Sequence, residues 1–306
     1  MEGLLDLRHA ILTSYKMVEG VANIILKFIL GFFVTFIASE LSMGGITGIK
    51  VIFISLICAV LTSFLSSGAI MIIASIICSI YISFASIEVA IFAAIIFFLI
   101  LVFYVRLLPQ QSLIIILTLV GFYFNIPYIG ILFSGIYLGI TGIVPSTISA
   151  FLWWAGTHIK ELAEISPRAD FKPMGMPDAF IKLYIEIYEI ISNDKSWVIL
   201  AVIFGIVVII TYIITLIPMD YAREVALILG TVILILSLIV CNIMNCVSIG
   251  ILSILLGNII SVFVVGIIMF MDVVLDYEST ERVKFEDEKN VYYVKVIPKR
   301  TINKDI

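Results

Sequence analysis

The chain has 306 residues, of which 62% are hydrophobic and 13% charged, with a formal net charge of −4 and a mean hydropathy of +1.24. Soluble domains carry roughly 45–50% apolar and about 25% charged residues, so a water-solvated globule is excluded, and the acidic balance argues against a nucleic-acid partner. The apolar residues fall in uncharged blocks of roughly twenty, the length that crosses ~30 Å of hydrocarbon as a helix, and they do not alternate as barrel strands do. The pattern predicts an all-α, polytopic transmembrane helix bundle: about eight full spans, a proline- and glycine-rich helical hairpin, and a small C-terminal β-hairpin.

Residues 1–20 place Leu4, Leu5, Leu7, Ile11 and Leu12 roughly on one face and predict an interfacial helix. No basic stretch precedes an apolar run and cleavage site, so no cleaved signal peptide is expected. Transmembrane region I covers 21–155. Its first span, near Val21–Ala38, contains Lys27, which either snorkels to headgroups or serves as an intramembrane ligand or counter-ion. Spans near Ile49–Leu65 and Ala69–Phe84 are joined by Ser66-Ser67-Gly68, and a fourth runs from Ile87 to Leu107 with Glu88 in its first turn, where a carboxylate suits the helix dipole. Leu108-Pro109-Gln110-Gln111 breaks the chain before a shorter span, Ser112–Phe124. Pro127 and Pro145 then bracket a short apolar segment, and Gly135 and Gly139 have the small-xxx-small spacing that lets helices approach closely in lipid. Pro127 to Trp154 is therefore expected to form a tight hairpin, either of two short crossings or of two re-entrant half-helices.

Region 156–196 is a long polar loop, expected to be extracytoplasmic, with an amphipathic helix over Pro177–Ile191. Phe180, Leu183, Ile187 and Ile190 share its apolar face. Transmembrane region II, 197–271, contains spans Trp197–Ile217, Val225–Val240 and Val247–Met271. Its break at Pro218 repeats the one at Pro109, the mark of a parallel internal repeat or simply of proline punctuating membrane turns. The tail, 272–306, contains two β-prone runs, Arg282–Phe285 and Val291–Ile297. Cys58 and Cys78 read as buried small hydrophobes, while Cys241 and Cys246 are close enough in sequence for a disulfide to be considered.

Positive charge favours the cytoplasmic side. With both termini inside and the Pro127–Trp154 hairpin returning to its starting side, eleven Lys and Arg lie inside and six outside. A single crossing there, with the C-terminus kept inside, gives nine against eight. The even-parity arrangement is favoured, and it gathers Trp153, Trp154 and Trp197 at the outer interface as an aromatic belt.

The tail, Asp276-Tyr277 with Thr280-Glu281, Phe285-Glu286-Asp287, Tyr292-Tyr293-Val294-Lys295 and Pro298-Lys299, resembles the ending of a family of uncharacterised multipass membrane proteins of clostridial-type Gram-positive bacteria. Arg106-Leu107-Leu108-Pro109, Phe122 to Tyr128, and Asp220 to Glu224 are similar to that family as well. Two positions depart from its pattern: Asn125 stands where a lysine is usual, and Gly130–Leu132 where a second proline follows. The resemblance implies a bacterial plasma-membrane location. It implies no mechanism, although members are sometimes labelled transporter permeases.

No HExxH, Ser/His/Asp set or carboxylate cluster is legible, so the reading is of a non-enzyme with no cofactor and no metal. His9 and His158 are read as interfacial. The preferred function is a transporter or permease-like component with a substrate path or hinge at Asn125, Pro127, Gly135, Gly139, Pro145 and Asn258, where broken helices and small or polar residues meet. The alternative is a membrane scaffold that recruits a cytoplasmic or membrane protein partner through Asp220, Arg223, Glu224, Phe285, Tyr292 and Tyr293. In both readings the lipid bilayer is the solvent.

Overall fold

The computed structural model describes residues 2–41, 49–109, 111–165, 176–219, 221–247, 249–272, 281–286 and 291–296. The chain divides into two compact units, Met1–Gly266 and Ile267–Ile306.

The first unit is helical because its long uncharged blocks leave no other way to satisfy the backbone in lipid. Helix α1 (Glu2–Leu41) is followed by α2 (Ile49–Ser63), α3 (Ser67–Ala85) and α4 (Ile87–Ile100), which continues as a π-helical turn, Leu101–Val105. The expected boundary near residue 20 is not a break, since α1 runs on from Glu2, although only Asn23–Glu40 has the length and hydropathy of a span. Ser86 starts α4, its hydroxyl accepting from the Val89 N–H, which satisfies one of the donors a helix start leaves open. Lys27 donates to the Leu65 carbonyl at 2.9 Å, at the α2–α3 turn. Its charge thus meets a helix-end carbonyl of the protein itself.

Helix α5 (Ser112–Tyr123) is only 12 residues long, about 18 Å. Next, α6 (Tyr128–Phe133) continues as a π-helical turn, Ser134–Leu138, and meets a 3₁₀ turn, Gly139–Gly142, before α7 (Ile143–Ile165). The chain reverses here. Ser134 Oγ and Ser146 Oγ are 3.1 Å apart, whereas a straight helix would separate them by about 18 Å. Gly139 makes the bend at φ +66°, a conformation that costs an L side chain but not glycine. A methyl at Gly142 would lie 2.8 Å from Ser134 Cβ, so this glycine lets the two arms touch.

Helix α8 (Met176–Asn193) leads into α9 (Ser196–Thr215), α10 (Ala222–Ile243) and α11 (Ile251–Asp272). Leu183, Ile187 and Ile190 of α8 pack on Ile82, Val89, Ala90, Ile159 and Leu162, so this helix covers the bundle with three of its four expected apolar residues; the Phe180 side chain lies outside the described part. Thr211 of α9 fills the space beside both Gly135 and Gly230 while its hydroxyl donates to the Val207 carbonyl. The small-residue contact and the satisfied hydroxyl fasten α9 to its neighbours on two sides. Outward-facing Phe53, Phe98, Phe103, Leu252 and Phe263 are between 63% and 70% exposed, about 1.5–3 kcal/mol each of unrealised burial in water that hydrocarbon removes. Cys241 and Cys246, considered for a disulfide, are free thiols.

Among the described residues, seven helical segments have the length and hydropathy to cross a membrane, and Lys50–Ser63 and Ser112–Tyr123 are shorter apolar helices. In the second unit, β1 (Glu281–Glu286) and β2 (Val291–Val296) pair antiparallel, with Glu281 opposite Val296 and Phe285 opposite Tyr292.

Candidate functional site

The first unit contains a cavity of about 640 Å³ with mixed polar and apolar walls. Four chain segments build it: Trp153–His158 of α7, Asp194–Leu200 at the start of α9, the α5–α6 turn from Phe122 to Tyr128, and the α10–α11 connection from Asn245 to Ser253. The α5–α6 turn forms its floor. The Phe122 ring lies 6.1 Å from that of Phe204, eight residues along α9 from Ser196, so the floor is recessed by about 12 Å from the start of α9. Below it, α5 and the first arm of the hairpin separate the cavity from the opposite face by only about 16–18 Å of helix, against ~30 Å of hydrocarbon. At that face, Tyr104 donates to Gln111 Oε1 at 2.9 Å, and Gln111 Nε2 donates to Thr141 Oγ1 at 3.1 Å, tying the tip of the hairpin to the turn before α5.

Asp194 organises the wall. Helix α8 ends one residue earlier, and the Asp194 carboxylate turns back over the start of α9. Its Oδ1 accepts from the Ser196 backbone N–H at 2.9 Å, the Asx-type contact that favours Asp before a helix. Its Oδ2 accepts from Trp154 Nε1 at 2.8 Å and lies 3.5 Å from His158 Nε2. Burial pushes the carboxyl up, but the Ser196 backbone N–H and hydroxyl, the Trp154 indole and His158 together hold it below the ordinary carboxylate range. His158 Nδ1 faces the Trp154 carbonyl at 3.0 Å. A carbonyl only accepts, which assigns the hydrogen to Nδ1. Nε2 then presents a lone pair when the ring is neutral and a second N–H toward Asp194 when it is charged. The Trp154 and His158 rings lie 4.8 Å apart, centroid to centroid.

The floor is a tight turn. Asn125 and Asn245, at φ +61° and +56°, occupy the left-handed region that asparagine tolerates better than most residues. The Ile126 N–H donates to the Gly121 carbonyl at 2.7 Å. On α11, a methyl at Gly257 would collide with the Asn125 carbonyl oxygen and stand 2.9 Å from the Tyr128 ring. Next to it, Asn258 is fully buried. Its Nδ2 donates to the Ile254 carbonyl at 2.8 Å, and its Oδ1 has no partner among the described residues.

The expected path residues therefore occupy two levels. Asn125 and Pro127 line the cavity floor, with Asn258 a neighbour of the glycine pressed against it. Gly135, Gly139 and Pro145 lie deeper, in the hairpin; Gly135 packs on Thr211 and Gly139 on the Tyr212 ring. His158, read as interfacial, lines the polar cavity beside a carboxylate contributed from 36 residues away. The sequence pattern gives Asp194, Ser196 and Asn245 no role, and gives Trp154 only a place in the aromatic belt. The signal available was Asp194-Lys195-Ser196-Trp197, a helix-start pattern that usually concerns folding alone. Of the expected docking residues, Arg223 sits 5.9 Å over the Tyr137 ring and Glu224 is exposed in the first turn of α10. Asp220 and the side chains of Phe285, Tyr292 and Tyr293 lie outside the described residues.

Among the described residues, no group of three or more His, Cys, Asp or Glu side chains is placed to hold a metal. Compared with protein families, with curated proteins and with solved structures, the chain has no match. The apolar helices define the class, a multipass integral membrane protein.

Proposed function

We propose that this protein is a transporter or permease-like component of a bacterial plasma membrane, with a pathway that starts in the polar cavity and continues through the Gly139 hairpin. The observation that carries the reading is the recessed floor, which brings hydrogen-bonding groups about 12 Å into a bundle whose remaining barrier is about 16–18 Å thick. Beside α5, the hairpin part of that barrier leaves the regular α-helix in a π-helical turn, followed at its tip by a 3₁₀ turn. Non-helical backbone at membrane depth is tolerated where protein buries it or where it lines a cavity, and discontinuous helices near the midplane recur at transport sites. Two facing hydroxyls, Ser134 and Ser146, sit inside the barrier. We further propose that the cavity faces outward with both termini cytoplasmic. In support, Lys27, near the start of the membrane-spanning part of α1, meets the α2–α3 turn while Glu40 at its end accepts from Tyr123 at the cavity end of α5, and the count of Lys and Arg along the sequence favours cytoplasmic termini. The permease label attached to members of the family that the tail resembles agrees with this reading.

Thiol accessibility tests it. In a background with the four native cysteines replaced, Ser253→Cys reports the cavity, Thr141→Cys the hairpin tip and Ser146→Cys the barrier. An impermeant maleimide should label Ser253→Cys from one face of sealed vesicles only, Thr141→Cys from the other only, and Ser146→Cys slowly from either. Labelling of Ser253→Cys and Thr141→Cys with a permanently silent Ser146→Cys would make the cavity blind and overturn the transport reading.

A further inference from the structure

A second cavity, of about 170 Å³, adjoins the first. It lies between α1, α3, α4, α7 and α8, and its walls are almost wholly apolar. Of the side chains that line it, Ser75 already donates within its own helix to Met71. The volume is close to that of a ~150 Å³ apolar cavity that stays dry and accepts benzene. At its rim Phe92 and Ile191 are exposed, so it opens where lipid tails stand. Trp153, Trp154 and His158 line both cavities. A wet pocket and an oily groove thus meet across a single layer of side chains.

We infer that the paired cavities bind one amphiphile, a membrane lipid with an uncharged, hydroxyl-rich head in the polar cavity and an acyl chain in the apolar groove. This names the substrate class of the transport site and rests on that reading for its consequence, but not for the binding itself. The head group follows from charge. In the lining of the polar cavity the Asp194 carboxylate faces the His158 ring and is further held by Trp154 and Ser196. No unmatched cation is left among the lining residues to hold a phosphate. What lines the rest are neutral donors and acceptors such as Asn125, Asn245, Thr157 and Ser253, with Trp153 and Trp154 as flat walls, the chemistry that suits sugar or glycerol hydroxyls. The tail follows from immersion. A groove open to the bilayer with walls almost wholly apolar is filled by hydrocarbon at little desolvation cost.

The test uses the full chain in nanodiscs and a glucosyl diacylglycerol whose acyl chain carries a photoreactive diazirine. Crosslinks should map to α4, α7 and α8 around Ala93, Ile159 and Ile187. Unlabelled glucosyl diacylglycerol should compete, and phosphatidylglycerol should not. Ala93→Phe, which narrows the groove, should lower labelling by about tenfold. Because it adds bulk beside a packed helix, Ser253→Leu serves as an independent variant at the head end, on a helix with ordinary backbone, and should lower labelling likewise. Equal competition by phosphatidylglycerol would overturn the neutral head. Labelling spread evenly over the lipid-facing helices, or unchanged in both variants, would overturn the site. Mapped, competed labelling with a silent Ser146→Cys leaves a lipid-binding protein that does not transport. An accessible Ser146→Cys without mapped labelling leaves a pathway for something else.

Discussion

The contact between Gly257 and the cavity floor yields a sharp prediction because α11 contains its own control. Both Gly257 and Gly266 lie inside α11, so replacing either with alanine brings the same gain in helix propensity, about 0.5–1 kcal/mol. Their surroundings differ. At Gly266 the added methyl would lie 4.0 Å from Leu227 Cδ2, an ordinary contact, whereas at Gly257 it would strike the Asn125 carbonyl oxygen and crowd the Tyr128 ring. Neither neighbour yields easily. Asn125 is already at φ +61°, and Tyr128 is 2% exposed. Overpacking of this kind costs about 1–3 kcal/mol. The two propensity gains cancel in the difference, so Gly257→Ala should be less stable than Gly266→Ala by that amount. Urea or thermal unfolding in one detergent, followed by tryptophan fluorescence, measures it. If the two variants unfold together, or Gly257→Ala is the more stable, then α11 does not press on the floor and the cavity geometry argued above is wrong.

Trp154→Phe keeps the ring in the cavity wall but removes the donor to Asp194. It should cost about 1 kcal/mol, less than a buried charge-assisted bond because Asp194 is partly exposed, and chemical denaturation checks it. Gln111→Leu strips both partners of the bridge between Tyr104 and Thr141. It should destabilise by about 1–3 kcal/mol and raise the protease sensitivity of the hairpin tip. The pH dependence follows from the lowered Asp194 carboxyl. A depressed folded value contributes stability that is fully present above the unfolded value, about 3.9, and is lost as pH falls through the folded one. Thermal unfolding of the wild type should therefore weaken on acidification below about pH 4, and Asp194→Asn should flatten that part of the profile. An unchanged profile in the variant would mean the carboxylate is not held as described.

Local chemistry alone located most of the membrane helices. Uncharged blocks such as 89–105 and 196–215 have one solution in lipid, so their extents read straight off the chain, and Pro109 and Pro218 punctuate them because proline cannot continue a helix. The amphipathic face of α8 was legible for the same reason, from Leu183, Ile187 and Ile190 at helical spacing. What the local pattern did not hold was depth. That α5 stops after 12 residues and the next arm turns at Gly139 is seen only once Ser134 meets Ser146, and those two facts recess the cavity floor. The polar site was hidden likewise. His158 comes from α7 and Asp194 from the connection between α8 and α9, and Asn125 meets Gly257 from more than a hundred residues away, so no short window of sequence contains either pair. Propensity and hydropathy act over a few turns of chain, whereas a cavity is defined by which side chains the packing leaves facing one another, and only the folded bundle decides that.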